Sequence, residues 1–303
     1  MTDILLNIKD LCVSYATKKE SLEVLQYINL EVFRDEVFGL VGESGSGKST
    51  LASAILGLLQ NPGKIDQGQI LFDNEDITNM SDKNHRRFLW EQISYIPQGA
   101  MNCFNPVIRI NEQFHDVIKD HGGQKAYGLN ERKIAQLIRS MHLNPDILDK
   151  FPHQLSGGMK QRLCIALAIV LNPKLIFADE PTSALDVISQ RIVLETLSKA
   201  RRRLKSSIIL IGHDLAIQAQ IADRLGIMFS GRLVEIGSVA DIFYNPLHEY
   251  TKKLISSLPS IQVKQNLNIL GADKSQGITK GLKGNEATSF IEVNPGHLVA
   301  KSY

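Results

Sequence analysis

The sequence predicts an α/β fold: a mainly parallel sheet packed by helices, with an antiparallel β subdomain, a helical insertion and a C-terminal extension. Three observations carry this expectation. Short apolar runs of strand length alternate with helix-length segments along the chain. One such run, Val37–Val41, stops at a glycine-rich loop that opens a helix. Within residues 105–172 the alternation gives way to helical patterns with no strand among them.

Taken in order, residues 4–13 and 24–32 mix β-branched and apolar residues with alternating polar ones, the pattern of two antiparallel strands joined by a charged turn around Lys18, Lys19 and Glu20. Val37–Val41 is apolar throughout and reads as a buried strand, and residues 49–59 have helical composition. Residues 69–72, Ile93–Ile96, 175–178, 207–211 and Arg224–Phe229 are further short apolar runs of strand length. Val193, Leu197, Ala200 and Leu204 recur at helical spacing, which describes an amphipathic helix lying on the sheet. In the insertion, Ile110–Asp120, 131–141 and 159–171 are helical. Beyond Gly231, a strand at 232–236, a short helix begun at Ser238 and another over 248–257 form the extension. From Pro259 onward patterns are weak, and part of the tail is expected to be mobile.

Composition narrows the functional classes. A chain of 303 residues, 43% hydrophobic and 22% charged, has the balance of a globular protein. Lys and Arg total 34 against 32 Asp and Glu, so the net charge of +2 gives no general attraction for nucleic acid. No nucleic-acid partner is expected, and any nucleotide site must be local. The longest clearly apolar run, 163–171, falls far short of the roughly 20 residues needed to cross a bilayer. The start Met1-Thr2-Asp3 has neither the basic residues nor the long apolar segment of a secretory signal, and only Cys12, Cys103 and Cys164 occur, so a reducing cytoplasm is expected. Each cysteine has apolar neighbours and no Cys or His at metal-ligand spacing, and all three are expected as small buried core residues.

Gly42-Glu43-Ser44-Gly45-Ser46-Gly47-Lys48-Ser49 fits the P-loop pattern GxxxxGK[ST], between a strand and a helix as the motif requires. Glycines let successive backbone N–H groups point inward as an anion nest, and the helix N-terminus, entered through Ser49 and Thr50, adds its positive dipole. Lys48 reaches the β and γ phosphates, and Ser49 is expected to ligate Mg²⁺. A second carrier of the same chemistry is the apolar strand that ends at Asp179, whose carboxylate can hold the Mg²⁺ shell. Together these predict a P-loop NTPase (RecA-like) core, expected to bind a nucleoside triphosphate such as ATP with Mg²⁺.

The stretch Leu155-Ser156-Gly157-Gly158-Met159-Lys160-Gln161-Arg162 resembles the LSGGxxQR signature of the ATP-binding cassette (ABC) ATPases. Physically it is another helix N-terminus offering a hydroxyl and glycine N–H groups. The resemblance implies that Ser156, Gly157 and Gly158 cap the ATP held by an opposite subunit. It further implies that Glu180 is the general base or water-orienting carboxylate, that His213 bridges γ-phosphate and water, and that Gln98 senses Mg²⁺ and water. It makes Tyr15 the aromatic that stacks on adenine, and Ser183 to Asp186 the loop that couples one ATP site to the other.

Three further segments resemble the oligopeptide, dipeptide and nickel importer branch of that family. Phe104-Asn105-Pro106-Val107 is similar to its NPV segment, which implies a surface docking on a membrane subunit; Asn245 to Leu254 is similar to its P-x-H-x-Y-T-x-x-L element; and Asn294 to Ala300 resembles its terminal PGHxVA. Many members carry a cysteine cluster in this tail, but no cysteine follows Cys164 here, so no iron–sulfur cluster is expected. The resemblance implies an ABC nucleotide-binding domain over 1–230, with a helical subdomain near 105–172, and an oligopeptide-transporter-type extension over 231–303. The expected function is the ATP-hydrolysing subunit of a peptide importer, peripheral on the cytoplasmic face of the membrane. Its expected partners are a second ABC ATPase subunit (a homo- or heterodimer), two transmembrane permease subunits and a solute-binding protein. Oligosaccharides or nickel remain open as the solute, and a soluble ABC ATPase outside transport is the rival class.

Overall fold

The computed structural model describes residues 3–17, 20–99, 103–121, 128–183, 185–258 and 290–300. The expected charged turn at Lys18 and Lys19, and the segment 259–289 expected to be mobile, lie outside the described residues. Strands β1 (Ile4–Ala16), β2 (Ser21–Phe33), β4 (Gly63–Phe72) and β5 (Glu75–Asp76) form an antiparallel sheet in the order β2-β1-β4-β5. The central sheet has the order β11-β12-β10-β9-β3-β8-β7-β6. Its strands are β3 (Val37–Val41), β6 (Ile93–Ile96), β7 (Leu175–Asp179), β8 (Ser207–Gly212), β9 (Arg224–Phe229), β10 (Arg232–Ser238), β11 (Phe290–Asn294) and β12 (His297–Ala300).

Strands β6, β7, β8, β3 and β9 pair in parallel; β10, β12 and β11 add an antiparallel edge. Every residue of β3, β7 and β8 is buried, as expected of parallel strands covered on both faces. The period of two then sorts their side chains. Phe38, Leu40, Phe177, Ile209 and Ile211 pack against the antiparallel sheet and helix α1 (Lys48–Ile55). Val37, Ile176, Ala178, Ile208 and Leu210 face the helices α3 (Ile110–Asp120), α4 (Glu131–Ser140), α5 (Gly157–Ile169) and α6 (Val187–Leu204). A third cluster joins β9 and β10 to α7 (Leu215–Gln218), α8 (Val239–Tyr244) and α9 (Glu249–Ser256) through Leu215, Leu225, Ile227, Val234, Ile242 and Tyr250.

Differences from the sequence-based expectation have physical causes, some local and some tertiary. Helix α1 ends at Ile55 because Gly57 takes a left-handed φ of 59°. Leu58 N–H then bonds Ser53 C=O and Gly57 N–H bonds Ala54 C=O, which closes the last turn. Helix α2 (Asp82–Glu91) has no counterpart in the sequence reading, since its apolar residues Phe88, Leu89 and Trp90 are bunched at one end and set no helical period. Phe88 meets Phe72 edge-on at 5.1 Å, so a tertiary contact anchors that segment. The hairpin β11–β12 was likewise unreadable: its pairing to β10 matches Glu235 with Val299, far apart in sequence. The expectation of three buried cysteines holds only for Cys164. Cys12 is half-buried with its sulfur facing Tyr27 N–H at 3.2 Å, and Cys103 is exposed because the burial in its loop falls on the next residue, Phe104.

Phe177 lies fully buried in β7, two residues before Asp179. Phe177→Ala is expected to destabilise the chain by about 3–5 kcal/mol through lost burial and the cavity left behind. A denaturant midpoint unchanged from wild type would contradict this packing.

Candidate active site

Parallel pairing in register brings the carboxyl ends of four strands side by side: Val41 opposes Gly212, Ile211 opposes Asp179, and Ala178 opposes Ile96. The loops that leave these ends carry Gly42 to Lys48, Asp179 and Glu180, His213 and Gln98, and they enclose an open cleft of about 770 Å³. Such a cleft at the carboxyl ends is where open α/β sheets bind ligands.

The phosphate cradle is built on the β3–α1 turn. Gly47, at φ 104°, caps helix α1 in a conformation that a side chain would strain. Lys48 is buried, and its Nζ donates to the carbonyls of Gly42 and Glu43, each at 2.8 Å, and to Ser46 Oγ at 3.3 Å. Burial lowers its pKa, while the nearby carboxylates of Glu180, Asp179 and Glu43 act in the opposite sense. Ser44, Gly45, Ser49 and Thr50 also line the cleft.

Across from the cradle, Asp179 is buried at the end of β7, accepts a hydrogen bond from Tyr95 Oη at 3.1 Å, and meets the Ser49 hydroxyl. Burial raises its carboxyl above the ordinary range, and the Tyr95 hydrogen bond partly opposes that shift. Glu180 follows in a left-handed conformation, φ 45°, fixed by its N–H bond to Ile211 C=O at 2.9 Å. A non-glycine residue held this way stores strain of a kind that clusters at functional sites. Its two carboxylate oxygens are each engaged: Gln98 Nε2 donates to Oε2 at 2.9 Å, and His213 Nδ1 lies 3.0 Å from Oε1. Three residues from three different strand ends thus meet at one carboxylate.

Other sequence-derived residues stand elsewhere. Ser156 caps α5 by accepting from Met159 N–H at 3.3 Å, and Gly157 and Gly158 open that helix. Asp186 caps α6, accepting from Ile188 N–H and Ser189 N–H, each at 3.0 Å. A Cβ added to Gly158 would stand 3.6 Å from Ser189 Oγ, so the two helix starts are neighbours, and neither lines the cleft. Tyr15, next to last in β1, pairs with Leu22 and Gly63; the described lining includes Val24 on the adjacent strand but not Tyr15. Sequence reasoning missed Tyr95 and Leu254, which supply a donor to Asp179 and an apolar wall to the cleft. Tyr95 sits three residues before Gln98 on the neighbouring strand, but only the pairing of β6 with β7 reveals its partner.

A cradle of backbone N–H groups with a buried lysine, facing two adjacent carboxylates, suits a phosphoanhydride and its attacking water. Among the described residues no cage of three or more His, Cys, Asp or Glu side chains could hold a metal alone. Ser49, Asp179 and Gln98 do fit Mg²⁺ in the usual way, with few protein oxygens and the remainder from substrate phosphate and water.

Comparison with known proteins agrees. The family model for the ABC transporter matches residues 25–183, and that for the oligopeptide/dipeptide transporter C-terminal region matches 234–283. The chain belongs to the ABC transporter family. It is 37% identical over 259 residues to the dipeptide transport ATP-binding protein DppD of Caldanaerobacter subterraneus, covering 85% of this chain and 79% of that relative. It is 37% identical over 263 residues to the oligopeptide transport ATP-binding protein OppD of Escherichia coli, covering 86% and 78%. Among solved structures, a dimeric ATP-binding cassette in a post-hydrolysis state with ADP and Pi superposes with a TM-score of 0.67 at 25% identity, over 78% of this chain and 99% of that one. The cbiO1 subunit of a Clostridium perfringens ABC transporter complex matches with a TM-score of 0.67 at 26% identity, over 85% and 96%. As an ABC ATPase, the chain binds and hydrolyses ATP.

Because burial raises the Asp179 pKa, the folded state binds that proton more tightly than the unfolded chain, and stability falls as pH rises between the two pKa values. Asp179→Asn removes the buried charge and is expected to raise the melting midpoint of the nucleotide-free ABC ATPase at pH 7. That gain should vanish below about pH 4, where the carboxyl is protonated in both states. A midpoint at pH 7 equal to or below wild type would reject this account of Asp179.

Proposed function

We propose that this chain is the ATP-binding and hydrolysing subunit of an ABC importer that energises uptake of peptides across the cytoplasmic membrane. The observation that carries the chemistry is the Glu180 carboxylate, held between Gln98 and His213 on the edge of the cleft that contains Lys48 and Asp179. The names of the relatives, dipeptide and oligopeptide transport ATP-binding proteins, support the solute class, as does the match to the transporter's C-terminal region. Residues 1–230 form the nucleotide-binding domain, with the helical subdomain near 105–172, and 231–303 form the extension.

Residues 42–50 bind the phosphates of ATP, with Lys48 against the β and γ groups. Ser49, Asp179 and Gln98 would hold Mg²⁺, which would supply neutralising charge at the phosphate oxygens. Glu180 accepts a hydrogen bond from the attacking water and takes its proton as the new O–P bond forms and the bond to ADP breaks. Gln98 and His213 keep that carboxylate aimed, and His213 also faces the γ-phosphate. Ser156, Gly157, Gly158 and Asp186, outside the chain's own cleft, serve the ATP of a second cassette, which makes the working unit a pair. Tyr15, one strand away from the Val24 that lines the cleft, is assigned by this reading to the adenine ring. Val107, 78% exposed in the Asn-Pro-Val segment, belongs to the surface that docks on a permease subunit. Among the described residues no helix is long and apolar enough to cross a membrane. In this reading two permeases provide the path, and the subunit is peripheral on the cytoplasmic face.

Glu180→Gln keeps the size and hydrogen bonding of the side chain but removes the base. It is expected to bind ATP with affinity near wild type while turnover falls by about 10²–10⁴-fold; wild-type turnover would remove Glu180 from the mechanism. Affinity purification of the chain from gently solubilised membranes is expected to recover two polytopic membrane proteins and a second cassette ATPase. Recovery of soluble partners alone would sink the transporter assignment.

A further inference from the structure

Two motifs of the extension are absorbed by none of the chemistry above: Asn245 to Leu254 and Asn294 to Ala300. The fold explains why they occur together. Glu235 in β10 is fully buried, and its carboxylate gathers three groups from distant parts of the chain. Oε1 accepts from Leu247 N–H at 2.9 Å and lies 2.8 Å from Nε2 of the buried His297, while Oε2 accepts from His248 N–H at 2.9 Å. One carboxylate therefore ties the terminal hairpin to the start of α9.

His248 continues the connection. Its Nδ1 accepts from Tyr250 N–H at 3.1 Å, a role open only to the neutral ring, and burial lowers its pKa in that direction. The Tyr250 ring is buried against Phe229, with centroids 4.4 Å apart, and its hydroxyl accepts from Glu43 N–H at 3.2 Å. Glu43 is the second residue of the phosphate cradle. One turn after Tyr250 along α9, Leu254 reaches the cleft itself and forms part of its wall. Hydrogen bonds thus run from His297 through Glu235, His248 and Tyr250 to the loop that holds the phosphates.

We infer that the C-terminal extension is a strut for the phosphate loop, with Tyr250 as a positioning residue that fixes the Glu43 peptide for ATP binding. The inference rests on the assignment of residues 42–50 to ATP. The cradle works by aiming backbone dipoles; in its first turn, ahead of α1, Lys48 Nζ and Ser46 N–H hold the Glu43 carbonyl, while the Glu43 N–H is taken by the Tyr250 hydroxyl. A hydroxyl on a packed ring supplies a rigid acceptor there. By linkage the effect is reciprocal: whatever the strut adds to ATP affinity, bound ATP returns as stability of α9.

The test uses the full chain. Tyr250→Phe keeps the ring and removes the acceptor. Fluorescent-ATP titration is expected to show a roughly 3- to 10-fold loss of affinity, the range for one lost hydrogen bond. Amide exchange over residues 40–48 should quicken, with the melting midpoint close to wild type. Wild-type affinity and unchanged exchange over 40–48 would overturn the strut. Should the variant not fold, the wild-type protein decides: saturating ATP must slow exchange over 249–256 as well as over 40–48. Slowing confined to 40–48 overturns the strut and leaves the ATP site standing. Failure of the wild type to bind ATP at all would instead overturn the nucleotide assignment on which it rests.

Discussion

Because β3, β8, β7 and β6 run parallel and in register, their carboxyl ends fall on one line, and every loop that leaves them starts from a fixed height. The rest of the site follows from that alignment. The cradle, the two carboxylates, His213 and Gln98 come from four separate parts of the chain. They meet because full burial of β3, β7 and β8 holds their strands in one register: a slip of a single residue would turn Phe177 away from the antiparallel sheet and Ile176 into it.

The aligned ends also concentrate charge, with Lys48 and Asp179 buried in the lining of the cleft. Lys48 and Asp179 stand close enough to influence each other's ionisation, the Glu180 charge acts on both, and burial works against the charged form of each. The fold accepts this cost and offsets part of it locally, with Tyr95 and Ser49 on Asp179 and with the Gly42 and Glu43 carbonyls on Lys48. Charges held against burial in this way cost stability, the usual relation between preorganised sites and stability. The left-handed backbone of Glu180 belongs to the same pattern, since it aims the carboxylate toward Gln98 and His213.

The extension is part of this architecture by hydrogen bonding as well as by pairing. Strand β10 continues the central sheet from β9, and β12 continues it from β10. Glu235, on that same strand, gathers the hairpin and the start of α9. A buried carboxylate of this kind is tolerated because each oxygen has a donor, and it ties together segments that hydrophobic contact alone would let slide.

Local chemistry was legible in the sequence. Residues 42–49 fit their motif, Val37–Val41 and Leu175–Asp179 read as buried strands ending at the right residues, and Ile110–Asp120 and the face Val193, Leu197 and Ala200 were visible as helical periods. Each depends on neighbours within a few positions, where side-chain period, glycine conformation and helix polarity act directly. What lay beyond reach depended on pairing between distant segments: Phe88 on Phe72, Tyr95 on Asp179, the β11–β12 hairpin on β10, and Tyr250 on Glu43. A side chain's partner across a sheet is set by strand order and register, which are global properties of the packed chain. The sequence by itself determined which groups could bind phosphate and hold a water-activating carboxylate; only the tertiary structure decided which of them share a cleft, because hydrogen bonds act over about 3 Å and that proximity is created by burial of the whole sheet.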